Sequence, residues 1–241
     1  MSNSRVEYAE YDLMDAAEER MWWYRALHAR LADALRGVSG RILDAGCGTG
    51  GLLSSLPAMP GVTRFGLEHH APAAVRAAAK SGAAVACGSI AALPFAAASF
   101  DAAVSADVLC HAGVDPPAAL AELSRVLRPG SLLVLNMPAY AWLASAHDRR
   151  VHNARRVTAT ALAAWLRAAG YRDIRAGYWN TLLPLMVVQR KLLARGDAGS
   201  DVAAFPPWVD ATFLAVTEIE RRLRLRLPAG GSVLATARTP L

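Results

Sequence analysis

From residue 41 onward the chain alternates short apolar runs, bounded by Gly, Pro and polar clusters, with Ala-rich stretches whose apolar positions return at helical spacing. The runs read as buried strands and the Ala-rich stretches as helices of strong intrinsic propensity. Strands are predicted at Arg41–Ala45, Thr63–Leu67, Ala83–Cys87, Ala102–Ala106, Leu132–Met137, Arg172–Trp179 and Ser232–Ala237, and helices at Pro72–Lys80 and Ala118–Leu127. Such alternation predicts an α/β fold: a seven-stranded, mostly parallel, doubly wound sheet with helices on both faces. Two segments lie outside the alternation. Glu7 to Leu35 contains MWWYRALHARLADAL, which predicts a helix ahead of the first strand. Thr181 to Gly231 predicts helices over Leu182–Ala194 and Val209–Leu225, the first apolar and then basic, the second ending in RRLRLRL. The organisation expected is an N-terminal helical cap over residues 1–40, a core over 41–180, a helical insertion over 181–231 and a final core strand over 232–241.

Composition narrows the class. A chain of 241 residues with 54% hydrophobic content can bury a substantial core. The longest strongly apolar run, near Leu182 to Val188, is too short to span a bilayer, and the first residues carry acids, so a cytoplasmic protein is expected. Cys47, Cys87 and Cys110 are scattered without metal-ligand spacing, which predicts reduced core residues and neither a disulfide framework nor a metal site. Net charge is −4 over residues 1–20, +2 over 21–140 and +8 over 141–241. The basic C-terminal part reads as a solvated face, or as a surface for nucleic acid, an anionic membrane or an acidic substrate.

The chemistry concentrates in RILDAGCGTGG, Arg41 to Gly51, where a strand runs into a glycine-rich turn. Gly46, Gly48 and Gly51 satisfy G-x-G-x-x-G, a spacing shared by dinucleotide-binding folds. Asp44, two residues ahead of the first glycine, favours a different ligand. Its carboxylate would repel a pyrophosphate but attract a ligand bearing an ammonium and a sulfonium. Downstream, Glu68 ends TRFGLE 24 residues after Asp44. Cys87 to Leu109 then carries Leu-Pro-Phe and Ser-Phe-Asp before the fourth strand, and Leu120 to Tyr140 carries Arg-Pro-Gly before the fifth. In these four ordered features the chain resembles the class I S-adenosylmethionine-dependent methyltransferases, particularly the small-molecule, type 11-like members.

The resemblance implies a Rossmann-like core whose last strand inserts antiparallel beside the fifth. It implies S-adenosylmethionine as cofactor, S-adenosylhomocysteine as product, and a cofactor site built from Asp44, Gly46, Cys47, Gly48, Glu68, His69, Ser89, Ile90 and Asp107. Glu68 would take the ribose hydroxyls. Ser89 stands where many relatives place an Asp toward the adenine, and a hydroxyl is a weaker acceptor. Trp22 and Arg25 resemble the aromatic-and-arginine opening of such enzymes, with Arg25 facing the methionine carboxylate. The competing reading packs these aromatics into the core.

Methyl transfer requires the acceptor to be aligned in line and, for a hydroxyl, its proton to be removed. His147 and His111 are the candidate bases, with Asp148 orienting a histidine or else bracing the loop together with Arg156. The expected reaction is methylation of a small molecule, with a hydroxyl oxygen of a natural product, sugar or lipid-linked intermediate as acceptor. Nitrogen or carbon methylation, a non-methylating reaction, or a non-catalytic role beside a partner are the alternatives. ADVLCHAG lacks the Asn/Asp-Pro-Pro-aromatic pattern of nucleic-acid amino methylation, so no nucleic-acid partner is expected. Peripheral membrane contact through the basic insertion and homodimer formation are the partner readings beyond the small molecule.

Overall fold

The computed structural model describes residues 11–56, 61–144, 148, 152–182, 206–224 and 228–241. Seven strands form one sheet in the order β3-β2-β1-β4-β5-β7-β6: β1 Gly40–Ala45, β2 Val62–Glu68, β3 Ala84–Cys87, β4 Phe100–Ala106, β5 Leu127–Pro138, β6 Arg172–Trp179 and β7 Ser232–Arg238. Pairing is parallel from β3 across to β5, and β7 lies antiparallel between β5 and β6. This is the expected Rossmann-like arrangement, including the insertion of the last strand. β1 and β4 are buried along nearly their whole length, as strands covered on both faces must be.

The helices are α1 (residues 11–17), α2 Trp22–Ala34, α3 Gly51–Ser55, α4 Ala71–Ser81, α5 Pro116–Val126, α6 Ala159–Ala168 and α7 Pro207–Arg222. Their ends follow local chemistry. Prolines open α4 and α5, Gly82 in the left-handed region closes α4, and the Thr158 hydroxyl caps α6 by accepting from Ala161 N at 3.1 Å. One face of the sheet packs Leu43, Phe100, Leu120, Leu133 and Leu166 into the larger core. The other packs Ile42, Val104, Val134 and Trp179 against Ala26, Leu27 and Leu31 of α2. Helix α7 packs alongside α2.

Two expectations change. β5 begins at Leu127 rather than Leu132, because Leu127 pairs with Phe100 before a register shift that the Arg-Pro-Gly turn accommodates. Cys47 and Cys110 are buried and reduced, but Cys87 is exposed, being the last residue of an edge strand. The helix predicted at Leu182–Ala194 falls outside the described residues apart from its first residue. Among the described residues no helix is long and apolar enough to cross a membrane.

Candidate functional site

The site forms where β1, β2 and β4 deliver their C-terminal ends. Gly46 follows β1 with φ +95°, and a Cβ there would land inside the Val108 side chain from the turn after β4. Only glycine permits both the backbone angle and this approach. Gly46 N and Cys47 N donate to Leu67 O at 2.8 and 2.9 Å, tying the loop to β2. Glu68 completes the tie: its Oε2 accepts from Gly48 N at 2.9 Å, and its Oε1 accepts from His70 N at 2.8 Å and from the Tyr11 hydroxyl at 3.0 Å. Tyr11 also stacks on His70, ring centroids 4.5 Å apart, and a Cβ on Gly48 would sit 2.8 Å from Met14 Cε. Helix α1 therefore lies across the glycine loop.

Three acids converge there. Asp44 is only 4% exposed and accepts no hydrogen bond from any described residue. Burial pushes its carboxyl up to about 8, with the nearby charges of Glu68 and Glu18 adding to the rise. Glu18, buried just past α1, accepts from Thr49 Oγ1 at 2.7 Å and from Lys80 Nζ at 2.5 Å. Burial raises the Glu18 carboxyl against the opposing pull of those two donors. Lys80 answers one of these charges. A buried carboxylate without a partner beside a glycine loop is the setting a cationic ligand neutralises.

The remaining expected residues are placed as follows. Cys47 is buried, its thiol pushed up by that burial, with Sγ against Gly66. His69 is exposed, and so is Ser89, whose Oγ accepts from Ala91 N at 3.2 Å; Ile90 is buried behind them. Trp22 is buried, meets Phe213 edge-on at 5.4 Å, and its backbone N donates to Asp210 at 2.7 Å, so it belongs to the seam between α2 and α7. Arg25 is exposed and lines a groove with Ala211, Leu214 and Ile219 of α7, making no hydrogen bond or ion pair with the glycine loop.

On the β4 and β5 side, Asp107 occupies the left-handed region at φ +54° directly after β4, and Asn136 Nδ2 donates to its Oδ1 at 3.0 Å. Burial raises the Asp107 carboxyl to about 6 despite that bond. His111 is half-buried, bridges to Asn153, and accepts through its carbonyl from Arg155 at 2.5 Å. Asp148 is buried in a bidentate pair with Arg156 at 2.8 to 3.2 Å, and Arg156 also reaches Ala139 O at 3.0 Å. That is the geometry of a brace. His147 lies outside the described residues. The sequence reading missed Glu18, Tyr11 and Asn136 as parts of this region. Glu18 stands out in the sequence only as one of several N-terminal acids, and no spacing links it to the loop.

Comparison with known proteins agrees with this geometry. Residues 43–135 match the family described as Methyltransferase domain. The chain is 35% identical over 127 residues to 24-methylenesterol C-methyltransferase 2 of Oryza sativa subsp. japonica, covering 49% of this chain and 34% of that protein. It is 37% identical over 131 residues to the O-methyltransferase resE of Aspergillus sclerotiorum, covering 52% and 47%. The chain thus spans less than half the length of the curated relatives it matches. Its fold is similar to that of a Haloferax volcanii methyltransferase solved with the Trm112 methyltransferase activator, with TM-score 0.65, 20% identity, and 99% and 97% of the two chains covered.

Proposed function

We propose that this chain, which carries a class I S-adenosylmethionine-dependent methyltransferase domain, transfers the methyl group of that cofactor to a small molecule, most directly to a hydroxyl oxygen of a natural product, sugar or lipid-linked intermediate. The observation that carries the cofactor half is the buried Asp44 carboxylate, unpartnered among described residues and ringed by Glu68 and Glu18 at a loop that only glycine can form. When bound, the cofactor supplies an electrophilic methyl on a sulfonium. The chain's own contribution is placement and charge. Gly46, Cys47 and Gly48 would give the ligand close approach to backbone, and Asp44 would hold its positive end. Glu68 Oε2, which accepts only from Gly48 N, would keep a lone pair for a ribose hydroxyl. Helix α1, with Tyr11 and Met14 over the loop, would exclude water.

Carbon as the acceptor atom is the second reading, favoured by the similarity to the rice C-methyltransferase, while that to the Aspergillus O-methyltransferase favours oxygen. Peripheral contact with an anionic membrane belongs to the same proposal. Its support is the exposed Ile219 and Leu223 beside Arg222 and Arg224 at the end of α7, with the exposed Trp208 at the helix's other end.

Calorimetric titration with S-adenosylmethionine and S-adenosylhomocysteine, with NADH as control, tests the cofactor half. Saturable binding of both sulfur ligands by the parent, lost in an Asp44→Ala, Glu68→Ala double variant, is the expected result. Preference for NADH would overturn the reading. Mapping the methylated atom in a pool of phenols, sugars and prenyl lipids then separates oxygen from carbon.

A further inference from the structure

A chain of three buried or half-buried polar side chains crosses the sheet to the end of β4. Trp179, at the end of β6, donates its indole Nε1–H to Asn136 Oδ1 at 2.9 Å. An indole N–H can only donate, so the Asn136 amide is fixed with its oxygen toward Trp179 and its nitrogen toward Asp107. Asn136 Nδ2 then donates to Asp107 Oδ1 at 3.0 Å, and Asn136 O accepts from Asp107 N at 2.9 Å. The chain is rigid. Asn136 is 1% exposed and Trp179 4%, and the indole ring lies under the Arg30 guanidinium at 4.5 Å with Trp23 stacked beside it.

Asp107 itself is only half-buried, and its Oδ2 has no hydrogen-bond partner among the described residues. It sits in left-handed backbone next to Val108, the side chain that closes on Gly46, so its backbone adjoins the glycine loop while its carboxyl faces Asn136, Arg156 and Asp148. Left-handed backbone outside glycine is uncommon, and here two bonds with Asn136, one donated and one accepted by it, hold it in place.

We propose that Asp107 is the general base that takes the acceptor's proton through Oδ2, and that Asn136, locked by Trp179, is its positioning residue. The inference rests on the methyl-transfer reading above. The acceptor's lone pair forms the bond to carbon, the carbon–sulfur electron pair stays on sulfur, and the acceptor's proton passes to Asp107 Oδ2 and then to water. Other charged groups facing Asp107 are Arg156, which favours its ionised form, and Asp148, which opposes it, with the Cys110 thiol beside them. A carboxyl raised to about 6 is mostly ionised at neutral pH yet basic enough to accept a proton.

The test uses the full chain and three variants, Asp107→Asn, Asn136→Leu and Trp179→Phe, each checked for an intact thermal transition. Carboxyl carbon NMR on aspartate-labelled protein should show a group titrating near 6 that is absent in Asp107→Asn. In Asn136→Leu that midpoint should move upward, because a donor to the charged form is gone, and in Trp179→Phe it should move less. Turnover on a pool of phenolic and sugar acceptors should fall roughly 100-fold or more in Asp107→Asn. Affinity for S-adenosylhomocysteine should meanwhile stay within about threefold, a change worth well under 1 kcal/mol. Retained turnover in Asp107→Asn overturns the base. Loss of S-adenosylhomocysteine affinity in step with turnover makes Asp107 a cofactor contact and overturns it equally. An unmoved midpoint in Asn136→Leu overturns the positioning role. A parent that binds no S-adenosylhomocysteine removes the methyl-transfer reading itself, an outcome seen before any variant is compared.

Discussion

Asp44 carries a carboxyl raised to about 8, so near neutral pH it is largely protonated until a cation approaches. A ligand bearing an ammonium favours the ionised form and must displace that proton, so apparent affinity grows as pH rises toward 8. Between pH 6 and 7.5 the affinity for S-adenosylhomocysteine is expected to increase by up to about tenfold per pH unit, and Asp44→Asn should flatten the rise. Calorimetry across that window checks it, and an equal rise in the variant would remove Asp44 from the ligand's positive end. Asp44, Gly46 and Glu68 were legible because each lies at a strand end, where position along the chain already fixes position in space. Glu18 and Tyr11 were not, since a helix remote in sequence carries them there. Arg25 illustrates the reverse case: a helix presents several faces, and the residue pattern alone did not say that this one would face α7.

At the scale of elements, alternation of apolar runs with Ala-rich stretches located all seven strands: the central β1 and β4, covered on both faces, leave near-continuous apolar segments, while the edge strands β3 and β6 stay partly exposed. The seam between α2 and α7 was beyond that logic, because it is held by buried polar groups whose partners are far apart in sequence. Glu220, 6% exposed, accepts from Asn180 N at 3.0 Å, from the backbone and hydroxyl of Thr181, and from Arg30 at 3.4 Å. Arg30, 7% exposed, also donates to Thr217 O at 2.7 Å, and burial lowers its guanidinium to about 10. One carboxylate thus ties α7 to both α2 and the end of β6. Glu220→Ala would strand a buried guanidinium and several backbone donors, a loss of about 3–5 kcal/mol. That corresponds to a fall of roughly 6–20 °C in the unfolding midpoint of a chain this size. Glu220→Gln, which keeps one of the two acceptor oxygens, should lose less; differential scanning calorimetry of the two variants distinguishes a charged tie from simple packing.

For the whole molecule, the buried acids make the ligand-free fold prefer mild acid. Asp44 rises from 3.8 to about 8 and Asp107 from 3.8 to about 6, and Glu18 is raised as well. Over those intervals the folded chain holds protons that the unfolded chain has released, so stability falls as pH rises. His28 acts in the opposite sense: burial lowers it from 6.5 to about 4, so the unfolded chain binds the extra proton and stability gains with pH in that interval. Between pH 4 and 6 the two aspartates outweigh the histidine, between 6 and 6.5 Asp44 and His28 offset one another, and from 6.5 to 8 Asp44 acts without that opposition. The carboxylates lowered by hydrogen bonds and neighbouring cations, Asp101, Glu122 and Glu218, contribute stability that is present above their ordinary range and lost only as pH falls below it, outside this window. At about 1.4 kcal/mol per pKa unit, the decline from pH 6.5 to 8 is on the order of 2 kcal/mol, or roughly 4–8 °C in midpoint. A cationic ligand at the glycine loop supplies the missing countercharge, so saturating S-adenosylmethionine should raise the midpoint more at pH 8 than at pH 6.5. Thermal unfolding at the two pH values with and without ligand measures this. A ligand-free midpoint that climbs from 6.5 to 8, or a ligand gain that shrinks over the same interval, would mean that the three acids at the loop are neutralised by something other than the cofactor.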